Sequence, residues 1–364
     1  MLVERVEEVA ADPRYAQLKD VWTRHLRGEK VAKAPVYALL VVGVSVAWQE
    51  LIPPETLVSR DPLERSIELQ LRQKLYRHEH IPDDDVLLPT VWIKPVRPEL
   101  PTAAADSPSM REMASRAAPS EYGATYWESL QAARLWGLPF QRVWTGAAGG
   151  AYRVEPAVTS DTDLARLHQP SYEVDQGATR APYERATELV GGRLPVKLAT
   201  DELRACPTET MVDLLGMEQV LYGVIERPDF IHRVMEFITE GFIAYHRARE
   251  TAEAVDAEES WAARAHFEQL PSGASPRRLK STWSLVAAQS LCGLSPAMYE
   301  EFVQPYHARL AAVLGDHRIY YHGCEDLTAK IPIIRQLPNL RRFCVSPWTN
   351  LEVAAAELGR NFVL

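Results

Sequence analysis

His322 and Cys324 stand two residues apart at the end of the short apolar run 318–321, and Glu325 follows directly. Residues i and i+2 of a strand point to the same side, so an imidazole and a thiol are presented together beside a carboxylate. Cys344 follows twenty residues after Cys324, in a second apolar run. Zinc prefers nitrogen and sulfur ligands. Two neighbouring strands that end in these residues therefore predict a zinc site formed by His322, Cys324 and Cys344.

Each of these side chains also has an ordinary structural interpretation. A small buried cysteine and a core histidine need no metal, and two ligands at this spacing do not define a metal site. Glu325 could be a third ligand, a hydrogen-bond partner of His322, a general acid or base, or an acid at the N-terminus of the next helix. The metal and packing interpretations both stay open at this point.

Composition narrows the class of protein. The chain has 364 residues, 46% hydrophobic content and a net charge of −9, with no long basic stretch, which argues against nucleic acid or an anionic membrane as a partner. Four cysteines in a chain of this length do not predict a disulfide framework. The acidic start predicts no signal peptide. The most apolar stretch, 36–48, is shorter than the roughly 20 residues of a membrane helix, so we predict a cytoplasmic protein.

Strand and helix patterns alternate along most of the chain, after a helical extension predicted for residues 1–34. The earlier predicted elements are strands 36–46, 86–93, 141–144 and 194–199, and helices 61–78, 227–253 and 295–314. The later ones are strand 318–321, helix 327–337, strand 342–345, helix 351–358 and strand 361–364. This pattern predicts parallel strands covered by helices. In such folds the reactive groups lie at the carboxyl ends of strands, where residues 322–325 fall.

Several motifs resemble the uroporphyrinogen decarboxylase-like proteins, and more closely a bacterial branch of that superfamily near the corrinoid and cobalamin methyltransferases. The resemblance covers roughly residues 35–364. It is carried by segments 71–76, 136–137, 295–306, 320–327, 338–341 and 345–348, and by Asp175, Trp283 and Gln289.

The resemblance implies an α/β fold, a (β/α)8 TIM barrel over residues 35–364, with its site at the C-terminal face and its last strand–helix unit incomplete. His322 and Cys324 match the zinc-binding His-x-Cys pair of the methyltransferases, and Cys344 stands as a later cysteine. The other residues placed at the site are Glu325, Asp175 and Tyr183 as catalytic groups, and Trp48, Trp283, Gln289 and Trp348 as substrate-binding groups. Porphyrin decarboxylases carry an Arg-Gln-Ala-Gly-Arg-Tyr motif where this chain has residues 45–50 without arginine, which argues against a porphyrin substrate.

The leading functional hypothesis is zinc-dependent methyl transfer between a corrinoid, or a small methylated compound, and a thiol. Zinc and a corrinoid are the implied cofactors, and the implied partners are a small-molecule substrate, a corrinoid protein and a second copy of the chain. The first alternative is a metal-free decarboxylase of a non-porphyrin acid, for which Arg72, Arg341 and Arg342 are the available cations. The second alternative is an inactive or binding-only barrel.

Overall fold

The computed structural model describes most of the chain, and its described ranges are 1–38, 46–97, 136–138, 141–144, 152–199, 203–258 and 267–364. Most of the strand predicted at 36–46 lies outside these ranges, and a helix begins at its last residue, Val46. Segment 95–125 is rich in proline, alanine and serine, which predicts a long loop, and it also falls largely outside the described ranges. Within the described part, no helix combines the length and the apolar character that crossing a bilayer requires.

Helices make up the larger share of the described secondary structure. In chain order they are α1 (Leu2–Ala10), α2 (Pro13–Leu26), α3 (Val46–Leu51), α4 (Pro62–His80), α5 (Asp161–Leu164), α6 (Gln176–Leu189), α7 (Pro207–Leu215), α8 (Met217–Glu226), α9 (Pro228–Thr251), α10 (Pro296–Phe302), α11 (Gln304–Val313), α12 (Ile331–Ile334) and α13 (Leu351–Leu358). Many of these helices have proline in the first turn. Proline is tolerated there because an N–H at that position would have no intrahelical acceptor. Asp61 and Ser295 cap α4 and α10 with side-chain oxygens.

The strands form parallel sheets and one antiparallel hairpin. They are β1 (Val91–Ile93), β2 (Gln141–Trp144), β3 (Tyr152–Glu155), β4 (Val196–Leu198), β5 (Arg204–Ala205), β6 (Ser284–Val286), β7 (Ile319–Tyr321) and β8 (Leu340–Phe343). Strands β5, β6, β7 and β8 are hydrogen-bonded in that order and all parallel. Strand β1 pairs in parallel with β4, and β2 pairs antiparallel with β3. Parallel strands joined through helices confirm the α/β class, whereas closure into an eight-stranded barrel stays a prediction.

Successive residues of the four-stranded sheet face two different hydrophobic cores. Ile319 and Tyr321 pack in the C-terminal core, the cluster built around α9, α10 and α11. Tyr320 and Leu285 pack in the N-terminal core, which includes Trp22 and other residues of α1, α2 and α4. This alternation is the period of two expected for a strand. It assigns Tyr320 and His322 to one face of the sheet, and Tyr321 to the other.

Two predicted elements near the C-terminus differ from the structure. The helix predicted at 327–337 is a 3-10 turn, Thr328–Lys330, followed by the short helix α12. Pro332 lacks the N–H that a continuous helix from residue 328 would use. The strand predicted at 361–364 is reduced to one parallel bridge between Arg342 and Val363, after a 3-10 turn over Gly359–Asn361.

Gly241, in the middle of α9, lies where a side chain has no space. A Cβ atom at this position would overlap the indole ring of Trp136. We expect Gly241→Ala to destabilise the protein in urea unfolding, because overpacking costs about 1–3 kcal/mol and alanine's helix propensity returns at most about 1 kcal/mol. Gly293→Ala is the matched control, since no atom lies within 4 Å of a Cβ built there. Equal unfolding midpoints for the two variants would contradict the prediction.

Candidate functional site

His322 and Cys324 come together just after the carboxyl end of β7. The Cys324 Sγ atom lies 3.6 Å from Nε2 of His322, and the Tyr320 hydroxyl lies 3.0 Å from Nδ1 of the same ring. The imidazole is buried, with 7% of its surface exposed, whereas Cys324 is exposed. When Nδ1–H donates to the Tyr320 oxygen, the Nε2 lone pair faces the thiol. The sequence prediction that these two side chains share one side is confirmed.

Cys344 lies on the neighbouring strand end, in register with this pair. Tyr321 pairs with Phe343 across β7 and β8, and the backbone N–H of Cys344 donates to the Tyr321 carbonyl at 2.9 Å. His322 directly follows Tyr321 and Cys344 directly follows Phe343, so the two residues hold the next matching positions on the two strands. Cys344 is half-buried and packs against the core that contains Tyr320, so the register and the packing place it on the face of Tyr320 and His322.

Glu325 turns back toward Gly323 instead of capping the following helix. Its Oε2 atom is buried and has no hydrogen-bond partner among the described residues, and it lies 2.9 Å from the position that a Cβ on Gly323 would occupy. Asp326 is the acid that binds the start of the following 3-10 turn, because its Oδ1 accepts the N–H of Thr328 at 2.9 Å. The acid at the start of the following turn is therefore Asp326 and not Glu325. The Glu325 carboxylate remains a candidate metal ligand, hydrogen-bond partner or general acid or base.

The loop after β8 is hydrogen-bonded to the loop that carries Cys324 and Glu325. The Ser346 hydroxyl donates to the Glu325 carbonyl at 2.7 Å, and the Thr349 hydroxyl donates to the same oxygen at 3.2 Å. Both donors are buried. Between them Trp348 is 72% exposed, and Leu351 beyond them is 60% exposed. Trp348, predicted to bind substrate, thus stands as an open apolar surface beside the site.

The structure gives Asp175 and Tyr183 architectural contacts. Asp175 is the N-cap of α6, where its Oδ1 accepts the Ala178 N–H at 2.9 Å. The Tyr183 hydroxyl donates to the carbonyl of Val196 at 3.1 Å. Val196 is the first residue of β4, so Tyr183 binds the amino end of that strand, not the carboxyl end. Tyr183 lies within helix α6 and Asp175 directly before it, and the catalytic roles that the resemblance implies for both residues stay predictions.

Of the other predicted substrate-binding residues, Trp48 and Trp283 are buried, and Gln289 lies at the edge of the sheet. Trp48 is buried and meets Tyr76 edge-on, with ring centroids 5.9 Å apart. Trp283 is buried immediately before β6, at its amino end. The structure therefore places these two indoles in packed surroundings and not on an exposed surface. Gln289 follows the carboxyl end of β6, in a 3-10 turn, which is the edge of the sheet where His322 and Cys324 lie.

A buried polar group that the sequence analysis missed occupies the opposite face of β7. The hydroxyls of Tyr299 and Tyr321 are 2.8 Å apart, and the Tyr299 hydroxyl lies 3.5 Å from Nδ1 of His307. Burial raises the pKa of both tyrosines and lowers the pKa of His307 to about 3. All three groups are therefore neutral at physiological pH, and they form a neutral hydrogen-bonded cluster beneath the site.

Glu209 was also missed, although it lies at the same edge of the sheet. Its Oε2 accepts from the Thr208 hydroxyl at 2.7 Å, and its Oε1 accepts from the Ser290 N–H at 3.3 Å. Burial raises the pKa of Glu209 to about 7. Its position in the first turn of a helix that directly follows a strand could have identified it. Lys330, whose pKa is lowered by burial, donates to the Cys292 carbonyl at 2.8 Å.

His322 and Cys324 are two side chains of types that could bind a metal ion. Within the ranges that the structure describes, no group of three or more His, Cys, Asp or Glu side chains is arranged to hold an ion. His322 and Cys324 are close to each other, and Cys344 does not complete a three-ligand group with them in this arrangement. The zinc role of the three residues stays a prediction.

Comparisons with known proteins give little further identification. No family model matches the chain, and no curated protein matches it. Among solved structures, a methyltransferase from Methanosarcina mazei is similar with a TM-score of 0.48 and 14% sequence identity, over 95% of this chain and 81% of that chain. A similarity of this size assigns neither a family nor an activity.

Proposed function

We propose that this protein is a methyltransferase that moves a methyl group between a corrinoid, or a small methylated compound, and a thiol at His322 and Cys324. The observation that carries the proposal is the 3.6 Å separation of Cys324 Sγ and His322 Nε2. Zinc bond lengths of about 2.3 Å to sulfur and about 2.0–2.1 Å to nitrogen, at tetrahedral angles, place the two ligand atoms about 3.6 Å apart. The pair therefore has the separation that two zinc ligands need.

Cys344 is the best candidate for a third ligand. It is in register with His322 across β7 and β8, and neighbouring strands are about 4.8 Å apart. When bound, zinc would keep the sulfur of the acceptor in its thiolate form, which is the nucleophilic form of a thiol. The chain's own contribution is to orient His322 through Tyr320, to hold the Cys324 loop through Ser346 and Thr349, and to expose Cys324 to the incoming compounds.

The direct test is a measurement of zinc content and methyl transfer on the purified protein. We expect bound zinc by mass spectrometry, and NMR-detected transfer from a 13C-methyl donor, either methylcobalamin or a small methylated compound, to 2-mercaptoethanol. Zinc-free protein that transfers methyl groups at the same rate would reject the metal role. Zinc-loaded protein that transfers none from any of these donors would reject methyl transfer.

Tyr320→Phe should weaken the site without removing a ligand. Phenylalanine removes the hydroxyl that lies 3.0 Å from Nδ1 of His322, and removal of such an outer partner typically costs about 10–100-fold in metal affinity or activity. Zinc titration with a competing chelator and the methyl-transfer rate both measure this loss. Tyr222→Phe is the control, because Tyr222 is 58% exposed on α8. Unchanged zinc affinity in Tyr320→Phe would contradict the proposed orienting role.

Arg342 favours a second candidate, a metal-free decarboxylase. Its guanidinium lies 5.0 Å from the centre of the Tyr320 ring. The Tyr320 hydroxyl in turn contacts the His322 imidazole, so a cation is present next to the partner of that imidazole. The other two arginines considered for this role have contacts elsewhere, since Arg72 pairs with Glu68 at 2.7 Å and Arg341 donates to the Leu26 carbonyl at 2.8 Å. Release of carbon dioxide by zinc-free protein would favour this candidate over methyl transfer.

Trp348 and Leu351 are exposed and stand on and just after the loop whose Ser346 and Thr349 bind the Glu325 carbonyl. They suit contact with a large apolar ligand or with a protein that delivers it. The proposed protein partners are a corrinoid protein and a second copy of this chain. A small-molecule substrate is proposed with each of them. Tight binding with no turnover of any methyl donor or acid would favour a binding-only protein. The melting temperature with methylcobalamin, compared with the value in buffer alone, measures such binding.

A further inference from the structure

Glu209 lies across the sheet edge from the Cys324 thiol. It is the third residue of α7, which begins just after the carboxyl end of β5. Strands β5, β6 and β7 are consecutive neighbours, and adjacent strands are about 4.8 Å apart. The ends of β5 and β7 are therefore separated by roughly 10 Å, a distance that a small compound can bridge.

Two hydrogen bonds hold the Glu209 carboxyl in one orientation. The Thr208 hydroxyl donates to Oε2 at 2.7 Å, and the backbone N–H of Ser290, next to Gln289 in the turn after β6, donates to Oε1 at 3.3 Å. The residue as a whole is partly exposed, whereas its carboxyl lies in buried surroundings. A carboxyl that neighbours fix in one orientation is suited to proton transfer, which requires a donor within hydrogen-bond reach of the reacting atom.

Burial, more than the charged and titratable groups around it, determines the protonation of Glu209 near neutral pH. Arg204 on β5 stabilises the carboxylate, but burial dominates and raises the pKa to about 7. From the helix and strand packed nearby, Tyr299 and Tyr321 are both neutral and both affected by the charges of Glu209 and Glu325. Catalytic acids work best when their pKa lies near the operating pH.

We propose that Glu209 is the general acid that protonates the leaving atom of an O-methyl or N-methyl donor, an assignment that rests on the proposed function. The thiolate lone pair forms the new S–CH3 bond while the bond from that methyl group to oxygen or nitrogen breaks. The electron pair of the broken bond goes to the leaving atom, which takes the Glu209 proton and departs as a neutral alcohol, phenol or amine. Glu209 is left as a carboxylate and recovers its proton from water.

The test compares two donors that differ in their need for a proton. Methyl phenyl ether must release phenoxide or phenol, whereas trimethylsulfonium releases neutral dimethyl sulfide without protonation. With 2-mercaptoethanol as acceptor, we expect Glu209→Gln to lower kcat for the ether by on the order of 10²-fold or more and to leave kcat for the sulfonium unchanged. Glutamine retains an oxygen for the Ser290 N–H. Glu218→Gln, on the exposed face of α8, is the matched control.

The pH profile gives a second readout. With the ether, kcat of the wild-type protein should fall as pH rises above about 7, and this dependence should be absent in Glu209→Gln. Equal losses with both donors would assign Glu209 a purely structural role and overturn the proposal, as would equal rates of the variant and the wild type with the ether. Wild-type protein that transfers methyl groups from neither donor would reject this proposal, and if methylcobalamin also fails it would reject the proposed function.

Discussion

Cys324→Ala should lower the methyl-transfer rate by on the order of 10³-fold, since loss of an outer partner alone costs about 10–100-fold and a direct ligand contributes more. The Cys324 Sγ atom lies 3.6 Å from His322 Nε2. Alanine removes it without adding volume or charge at an exposed position. Steady-state kinetics with a 13C-methyl donor and zinc content per chain are the two measurements.

The control for this prediction is Cys292→Ala, which removes a thiol that is also exposed. The Cys292 backbone carbonyl, which accepts from Lys330, is retained in that variant. We expect zinc content and turnover close to those of the wild-type protein. Cys344→Ala should lower zinc affinity if the register of β7 and β8 brings its thiol to the ion. A Cys324→Ala protein with full zinc content and full turnover would refute the role of the His322–Cys324 pair.

The second large effect concerns stability and pH. The pKa of Glu209 is about 7 in the folded protein, against an ordinary value of 4.5. Below about pH 4.5 the carboxyl is protonated in both the folded and the unfolded state and has no effect. As pH rises toward 7 the unfolded chain releases the proton first, so the folded state is progressively destabilised. The full difference corresponds to at most about 3 kcal/mol.

Glu209→Gln removes this titration and reveals its sign. The free energy of unfolding of the variant, minus that of the wild-type protein, should increase by up to about 3 kcal/mol between pH 4.5 and pH 8. Urea unfolding at several pH values measures the difference. Glu218→Gln should show no such trend, because Glu218 is exposed on α8. A constant difference between Glu209→Gln and the wild-type protein across this range would show that Glu209 titrates normally in the fold.

Elements with strong local patterns could be predicted from the sequence. The apolar repeat after Asp61-Pro62 predicted a helix over 61–78, and α4 spans Pro62–His80. The repeat after Arg227 predicted a helix to about residue 253, and α9 ends at Thr251. Both succeed because the helical period and the proline at the first turn are properties of neighbouring residues. The prediction of one continuous helix over 327–337 was wrong, because Pro332 lacks the N–H that such a helix needs.

The spacing of His322 and Cys324 was enough to predict that they share one side, since i and i+2 geometry is a local property of an extended backbone. The folded chain was needed to show that Glu325 turns toward Gly323, that Trp283 is buried while Trp348 is exposed, and that Glu209 meets Ser290. The burial of Trp283 and the contact between Glu209 and Ser290 depend on segments far apart in the chain. The pKa of Glu209 likewise depends on burial by such segments, because desolvation is set by the packing around a group and not by its neighbours in sequence.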